Sequence, residues 1–461
     1  MSRRVGLTIL GLALGVFTVH DLLAQWNPPS EVSRESILES SKTILARPDI
    51  PFKVREEIFR IRVVGMDWDM GAMVYEPEDP AQIPIGPDGN KIGAFLLHGG
   101  SGDHRSKDDV ARLLAGKFGF KVVSMTYPGR LYLLDPSRDW PGDTINPDGT
   151  VRTPIWNKDK LITHDQYEVV EDKSMMDRYG TTILACAKEG TEFYHRMAGW
   201  PMAFEEAGRD LMGRHFPQGE YSIYMHGHST GGPFAFMLTQ RIANIAGIIG
   251  MESSPFGYIY ARQINQSWHL PFNCLKIRTW RDIARYEGPE VLGAEGPEAL
   301  KRLPMIMERV FERWARKSNT VNPLFKAEYP IHLNGVEALA ASAQATARRL
   351  KMTPQETDDL VRHYKNYTRE LSGEGVRPFP PAILGTAQTS RDHSPQIYQE
   401  VVLPMFAAMD PPPKVSWVPF GAGVHGYSSP EPNLPMGLAP AVAQLWYDAI
   451  MGGYYQEERV P

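Results

Sequence analysis

Cysteine is nearly absent from this chain. Only Cys186 and Cys274 occur among 461 residues, which excludes the disulfide-rich scaffolds common among small secreted domains. Two cysteines can form one disulfide in an oxidising compartment, but their separation in sequence fixes neither their distance nor their pairing. No Cys/His spacing resembles a zinc site. The sequence therefore predicts neither a metal nor an organic cofactor.

A surplus of positive charge is also missing. The 49 Lys and Arg residues are outnumbered by 54 Asp and Glu residues, and the net charge is -5. Because the chain has no long basic run either, we expect no nucleic-acid partner. Internal repeats and low-complexity tracts are absent as well. With 42% hydrophobic and 22% charged residues, the composition is typical of a globular protein.

The longest apolar stretch lies at the N-terminus. Arg3 and Arg4 precede residues 5–19, which are mostly apolar, and Ala24 provides a small residue at a cleavage point. A membrane-spanning helix needs about 20 such residues, so an uncleaved anchor is the less favoured alternative. We predict that residues 1–24 are a signal peptide. The mature protein would then be secreted or periplasmic, with no membrane contact after cleavage.

Strand and helix patterns alternate along the following chain. Residues 25–57 are polar and contain prolines, and the first predicted strand begins at Ile58. A continuous apolar run at 92–97, a helical segment and another apolar run at 120–125 follow one another. Continuous apolar runs suit strands that are buried on both faces of a parallel sheet. The order predicts an α/β fold, with a mostly parallel sheet and helices on both faces.

The alternation breaks off in the second half of the chain. Around residues 298–317 apolar side chains recur at helical spacing, and Thr353-Pro354-Gln355-Glu356 is a capping box that predicts a helix start. Strand patterns resume at Ala382 and at Val415. The sequence therefore divides into a signal peptide (1–24), a first part of an α/β core (25–255), a helical cap insertion (256–380) and a second part of the core (381–461).

A glycine-flanked serine follows one of the predicted strands. Gly227-His228-Ser229-Thr230-Gly231 comes directly after the apolar residues 221–226 and opens a helical segment at 233–243. Small residues on both sides of a serine allow the tight strand-to-helix turn of a nucleophile elbow. A glycine-rich turn without chemistry is the alternative reading. His228 is interpreted as a variable position of the elbow rather than as a second base.

Glycines also follow an earlier strand, in His98-Gly99-Gly100-Ser101. In acyl transfer, backbone N–H groups must point to the position where the oxyanion develops. Glycines at a strand end let the backbone come close to a substrate. We expect one donor from the N–H of Thr230 and the other from the N–H of Gly100 or Ser101.

The base and the acid must follow the serine in this topology. His425 lies in Gly423-Val424-His425-Gly426, straight after a predicted strand at 415–418, and is the predicted general base. Two acids are candidates. Asp392 follows the strand that begins at Ala382, the usual position. Glu252 ends the strand at 245–251, where a buried carboxylate is hard to explain without a partner.

Taken together, these motifs resemble the α/β-hydrolase fold esterases. More narrowly, the chain is similar to bacterial serine esterases whose triad acid is a glutamate after the strand that follows the elbow. The resemblance implies that Ser229 is the nucleophile, Glu252 the acid and His425 the base, and Asp392 remains the alternative acid. It also implies a carboxylic ester hydrolase that acts on a small-molecule ester through an acyl-enzyme.

Two other functions fit the same motifs. A serine-dependent enzyme of this fold could instead cleave an amide, a thioester or a carbon–carbon bond, since the elbow is common to all of them. A non-catalytic binding protein could also be built on this fold. The residues 256–380 depart from the esterase pattern, so the resemblance does not define the substrate.

Overall fold

The computed structural model describes the greater part of the predicted core. The described residues are 26–63, 66–99, 102–128, 167–177, 180–188, 191–229, 231–253, 274–277, 344, 347–348, 351–359, 361–362, 377–390, 393–409 and 411–456. The predicted signal peptide, most of the predicted cap, and Gly100, Ser101, Thr230 and Asp392 lie outside this description.

The described chain contains eleven strands and five longer helices. The strands are β1 (Phe52–Val63), β2 (Met66–Pro77), β3 (Lys91–Leu97), β4 (Lys121–Met125), β5 (Tyr167–Asp177), β6 (Gly180–Ala187), β7 (Tyr221–His228), β8 (Ile245–Met251), β9 (Cys274–Ile277), β10 (Ala382–Ala387) and β11 (Val415–Phe420). The helices are α1 (Arg34–Ala46), α2 (Asp108–Phe118), α3 (Glu192–His215), α4 (Gly231–Thr239) and α5 (Ala439–Met451). Shorter helical pieces are Pro80–Gln82, Pro395–Ile397, the π-helical Tyr398–Val402, and Leu403–Ala407.

Eight of the strands form one sheet in the order β1-β2-β4-β3-β7-β8-β10-β11. Strand β2 pairs antiparallel with β1 and with β4, and all the other pairs in this sheet are parallel. Because parallel strands end at the same edge, the residues that follow β3, β7, β8, β10 and β11 are brought together there. The predicted site residues Ser229, Glu252 and His425 follow three of these strands.

The parallel strands are buried on both faces. Phe95 and Leu97 of β3 belong to one hydrophobic cluster, with residues of α3 and α4. Ala94 and Leu96 of the same strand belong to a second cluster, with residues of α1, α2 and α5. Successive side chains of a strand point to opposite faces of the sheet, so alternate residues of β3 belong to different clusters. Helices therefore cover both faces, and the predicted α/β class is confirmed.

The sheet order and the single antiparallel strand in second position define the α/β-hydrolase fold. The predicted strand at 245–251 coincides with β8. One helix was not predicted. Helix α1 lies within residues 25–57, begins after the capping side chain of Ser33 and buries Ile37 and Ile44.

A second, smaller sheet contains β5, β6 and β9 in antiparallel arrangement. Strand β9 comes from the predicted cap, and its register with β6 sets Cys274 opposite Cys186. Later in the predicted cap, the amide of Glu356 donates to the hydroxyl of Thr353 at 3.3 Å. Residues 354–359 are helical, so the helix start that the capping box predicts is confirmed.

None of the helices within the described part of the chain combines the length and the apolar character needed to cross a lipid bilayer.

Candidate active site

Ser229 occupies the turn between β7 and α4. Its φ of 52° is in the left-handed region, which costs a non-glycine residue about 1–2 kcal/mol. Two hydrogen bonds hold the turn: the amide of Ser229 donates to the carbonyl oxygen of Met251 at 3.2 Å, and the amide of Gly232 donates to the carbonyl oxygen of Ser229 at 2.9 Å. This is the strained strand-to-helix turn that a nucleophile elbow requires.

The glycines of the motif are required by close backbone contacts. A Cβ on Gly227 would lie 2.7 Å from the carbonyl oxygen of Gly231, across the turn. A Cβ on Gly231 would lie 2.8 Å from the carbonyl oxygens of both Leu97 and His98. Both distances are too short for a methyl group, so any larger residue would force the elbow and the end of β3 apart.

The loop after β3 passes beside the elbow. A Cβ on Gly99 would lie 3.4 Å from the Cβ of Ser229 and 3.0 Å from Nδ1 of His228. The hydroxyl of Tyr127 donates to the carbonyl oxygen of His98 at 2.5 Å, which fixes this strand end. Of the predicted oxyanion-hole residues, Gly100, Ser101 and Thr230 all lie outside the described residues. Gly99 directly precedes Gly100, and Ser229 directly precedes Thr230. Gly99 and Ser229 lie next to each other.

Glu252 follows β8, the strand adjacent to β7. It is buried, its φ is 54°, and its amide donates to the carbonyl oxygen of Gly385 in β10 at 2.8 Å. The carboxylate is therefore held at the sheet edge, close to the elbow. A buried carboxylate needs partners, because burial of an unpaired charge is costly.

His425 supplies one of these partners. Its Nδ1 lies 2.5 Å from Oε2 of Glu252, and the backbone amide of Gly426 donates to the same oxygen at 3.3 Å. The side chain of His425 remains about one-third exposed. Since Nδ1 faces the carboxylate, Nε2 is the ring nitrogen left to take part in proton transfer.

The electrostatics of Glu252 follow from these contacts. Burial would raise the pKa of the carboxyl group, but the hydrogen bonds from His228 and His425 outweigh burial and hold the pKa well below its ordinary value. The group is therefore ionised throughout the neutral range. An ionised carboxylate on Nδ1 is the partner that stabilises an imidazolium.

Two neighbours of Glu252 were not predicted to belong to the site. Nε2 of His228 lies 3.5 Å from Oε2 of Glu252, and Nδ1 of His228 lies 3.1 Å from Nζ of Lys107. The rings of His228 and His425 are 4.9 Å apart between their centroids. His228 is thus a buried contact of the candidate acid as well as a position of the elbow.

The second candidate acid, Asp392, lies outside the described residues. His393, the residue after it, is buried. Its ring stacks on that of His425 at 5.7 Å, with 6° between the ring planes, and its Nδ1 lies 3.2 Å from the hydroxyl of Tyr398. The loop after β10 therefore contributes a ring that limits the movement of the His425 imidazole.

A metal ion is the other occupant that this set of donors could accept. The ligand atoms of His228, Glu252 and His425 lie within 4.8 Å of one another, and two histidines with one carboxylate can bind zinc. The amine of Lys107, however, lies 3.1 Å from the Nδ1 of His228. In its ammonium form this group opposes the binding of a divalent cation.

Comparison with known proteins adds structural similarity only. No known family model matches the chain, and no curated protein sequence is similar to it. A mutant of the esterase rPPE shares 11% identity and a TM-score of 0.38 over 94% of both chains. The peroxisomal α/β-hydrolase Lpx1 of Saccharomyces cerevisiae shares 10% identity and a TM-score of 0.36, over 90% of this chain and 91% of that one. An α/β serine hydrolase without a lid, from Xanthomonas campestris, shares 9% identity and a TM-score of 0.33, over 88% of this chain and 97% of that one.

Proposed function

We propose that this chain is a serine hydrolase that cleaves carboxylic esters of small molecules through an acyl-enzyme. Ser229 would be the nucleophile, His425 the general base and Glu252 the acid. The observation that carries the proposal is the 2.5 Å contact between Nδ1 of His425 and Oε2 of Glu252. It occurs at the sheet edge where Ser229 occupies a strained turn.

The proposed reaction has two halves. Nε2 of His425 accepts the proton of the Ser229 hydroxyl as the oxygen attacks the ester carbonyl carbon. The imidazolium then gives this proton to the departing alcohol, and Ser229 is left acylated. In the second half a water molecule loses a proton to His425 and attacks the acyl carbon. The bond between the acyl carbon and the Ser229 oxygen then breaks, His425 gives its proton to that oxygen, and the carboxylic acid is released. Glu252 remains ionised throughout and stabilises the imidazolium.

Backbone amides would bind the oxyanion in both halves. We assign one donor to the N–H of Thr230 and the other to the N–H of Gly100 or Ser101. A Cβ built on Gly99 would lie 3.4 Å from the Cβ of Ser229, and this closeness of the loop after β3 to the nucleophile supports the assignment. Helix α4 begins at Gly231, so its N-terminus would also favour negative charge here.

Glu252 is preferred to Asp392 as the acid. Glu252 contacts Nδ1 of His425 directly, and its hydrogen bonds keep it ionised despite its burial.

Labelling with a fluorophosphonate probe tests the proposal. We expect the wild-type protein to be modified at Ser229 and to hydrolyse chromogenic esters faster than the matching amides. Ser229→Ala should abolish both the labelling and the hydrolysis. An unlabelled Ser229 in a folded protein would favour the non-catalytic binding role. Labelling with faster cleavage of amides or thioesters would keep the serine chemistry and change the substrate class.

We also propose that the protein is exported. The charged and apolar pattern of residues 1–24 supports this proposal. N-terminal sequencing of the protein recovered from the periplasm or the culture medium should begin at residue 25. A start at residue 1 or 2, with the protein recovered in the membrane fraction, would support the uncleaved anchor instead.

A further inference from the structure

A buried lysine reaches the candidate acid through a histidine. Lys107 immediately precedes α2 and is buried. Its Nζ lies 3.1 Å from Nδ1 of His228 and 4.5 Å from the ring centroid of Tyr427. Lys107 forms no ion pair within the described part of the chain, which is unusual because a buried ammonium is costly without a carboxylate partner. A lysine retained under these conditions calls for a role other than packing.

His228 connects this amine to Glu252. The ammonium form of Lys107 can donate hydrogen bonds but cannot accept them, so in this form Lys107 donates to Nδ1 of His228. Burial, and then the charge of Lys107, lower the pKa of His228 well below its ordinary value, and the ring is neutral. A neutral ring that accepts at Nδ1 carries its proton on Nε2. That nitrogen faces Oε2 of Glu252 at 3.5 Å.

Three donors therefore converge on a single carboxylate oxygen. Oε2 of Glu252 faces Nδ1 of His425, the amide of Gly426 and Nε2 of His228. Without the amine of Lys107, Nδ1 of His228 loses its polar partner. The ring is then no longer held in place on that side, and its contact with the Glu252 carboxylate is weakened.

We propose that Lys107 and His228 are positioning residues, which form a buried relay of polar contacts that holds the Glu252 carboxylate against Nδ1 of His425. The inference rests on the proposed function, since it concerns the acid of that reaction. Neither residue touches the reacting atoms in this scheme. Both act through Glu252.

The other titratable groups around Lys107 are consistent with this role. Glu252 and Asp109 favour the ammonium form, His226 and His228 are neutral rings buried near it, and the face of Tyr427 attracts its charge. Burial outweighs the two carboxylates and lowers the pKa of Lys107 to about 7. The amine donates hydrogen bonds in both of its protonation states, so the relay persists on either side of this pH.

The test compares Lys107→Met, His228→Leu and His228→Gln. Methionine is close to lysine in shape and removes a buried charge, so the variant should fold. We expect Lys107→Met and His228→Leu to lower kcat about ten- to a hundredfold, with KM little changed. Glutamine can accept from Lys107 and donate to Glu252, so His228→Gln should recover most of the lost kcat. Lys42→Met, at an exposed position of α1, is the matched control.

A double-mutant cycle separates positioning from general destabilisation. If Lys107 acts through Glu252, Lys107→Met should add less than a twofold loss to Glu252→Gln, because the positioned charge is already gone. Wild-type kcat in Lys107→Met, or a full additional loss in the Glu252→Gln background, would refute the relay. Fluorophosphonate labelling distinguishes the two failures. If Ser229 of the wild type is labelled and one of these two kinetic results is found, the relay alone is refuted. If Ser229 of the wild type is not labelled, the proposed function is refuted.

Discussion

Ser229 and Glu252 both adopt left-handed backbone conformations, with φ of 52° and 54°, at the ends of the adjacent parallel strands β7 and β8. The amide of Ser229 donates to the carbonyl oxygen of Met251, the residue before Glu252, at 3.2 Å. The nucleophile and the candidate acid are therefore connected through a single backbone hydrogen bond. Non-glycine residues in this region store strain, and such strain concentrates at functional sites.

Relief of that strain can be measured at Ser229. Ser229→Gly should be more stable than Ser229→Ala by about 1 kcal/mol, because alanine keeps the cost of positive φ and glycine does not. Neither variant should hydrolyse esters. Thermal or urea unfolding of both variants gives the difference. Equal stabilities, or a more stable alanine variant, would mean that the elbow is not strained at this residue.

The choice of acid is tested by two amide substitutions. Glu252→Gln should lower kcat on the order of 10³- to 10⁴-fold, the effect expected when a neutral amide leaves the catalytic histidine in the wrong tautomer. Asp392→Asn, the matched change at the alternative acid, should lower kcat by less than about threefold. Steady-state kinetics on one chromogenic ester decides between them. The opposite ranking would transfer the role to Asp392.

Activity should not depend on a metal ion. The donor atoms of His228, Glu252 and His425 are clustered, but the proposed reaction uses Glu252 and His425 for proton transfer. Dialysis against EDTA should leave ester hydrolysis unchanged. Added Zn²⁺ should inhibit if it binds at all, because it would occupy Nδ1 of His425 and the carboxylate. Loss of activity on chelation, restored by Zn²⁺, would instead identify a metal-dependent enzyme.

The strands before Ser229, Glu252 and His425 could be predicted because they are recognisable as apolar runs. Residues that follow parallel strands meet at one edge of the sheet, so these strands also predict where the candidate residues lie. One element gave no such signal. Helix α1 buries only Ile37 and Ile44, too few apolar positions to mark a helical stripe.

Lys107 was missed for a related reason. A lysine in a polar loop is ordinarily exposed, and its burial depends on the path that residues 102–107 take beside the elbow. The path of a loop cannot be predicted from the helical or strand periodicity of apolar residues. His228 was recognised in the motif but not as a contact of Glu252, because its orientation depends on the left-handed turn at Ser229.

The buried amine of Lys107 should give the protein a distinctive pH dependence of stability. The pKa falls from 10.5 to about 7 in the folded state, so between these values the unfolded chain binds a proton that the folded protein lacks. The free energy of unfolding should therefore rise with pH across this window, by up to about 1.4 kcal/mol per pH unit.

Lys107→Met removes this contribution. The variant should be more stable than the wild type at about pH 7, and its advantage should shrink as the pH rises towards about 10.5. Urea unfolding of both proteins across this range measures the difference, with Lys42→Met as the control that should parallel the wild type. If the difference in the free energy of unfolding between Lys107→Met and the wild type does not change with pH, the pKa of Lys107 is not lowered by folding.

Cys186 and Cys274 should form a disulfide in an oxidising compartment. Their Cα positions are partners in the antiparallel register of β6 and β9, and directly opposed antiparallel residues have Cα atoms about 4.5–5.5 Å apart, within the range of disulfides. With oxidised glutathione as the oxidant, the two thiols lose two protons and two electrons to give one S–S bond and two reduced glutathione molecules. The bond would connect the strand from the predicted cap to the hairpin of β5 and β6 and stabilise the fold by about 4 kcal/mol.

Peptide mass spectrometry without reductant should find Cys186 and Cys274 in one cross-linked peptide, and Cys186→Ser should abolish it. Complete alkylation of both thiols after treatment with oxidised glutathione would contradict the register.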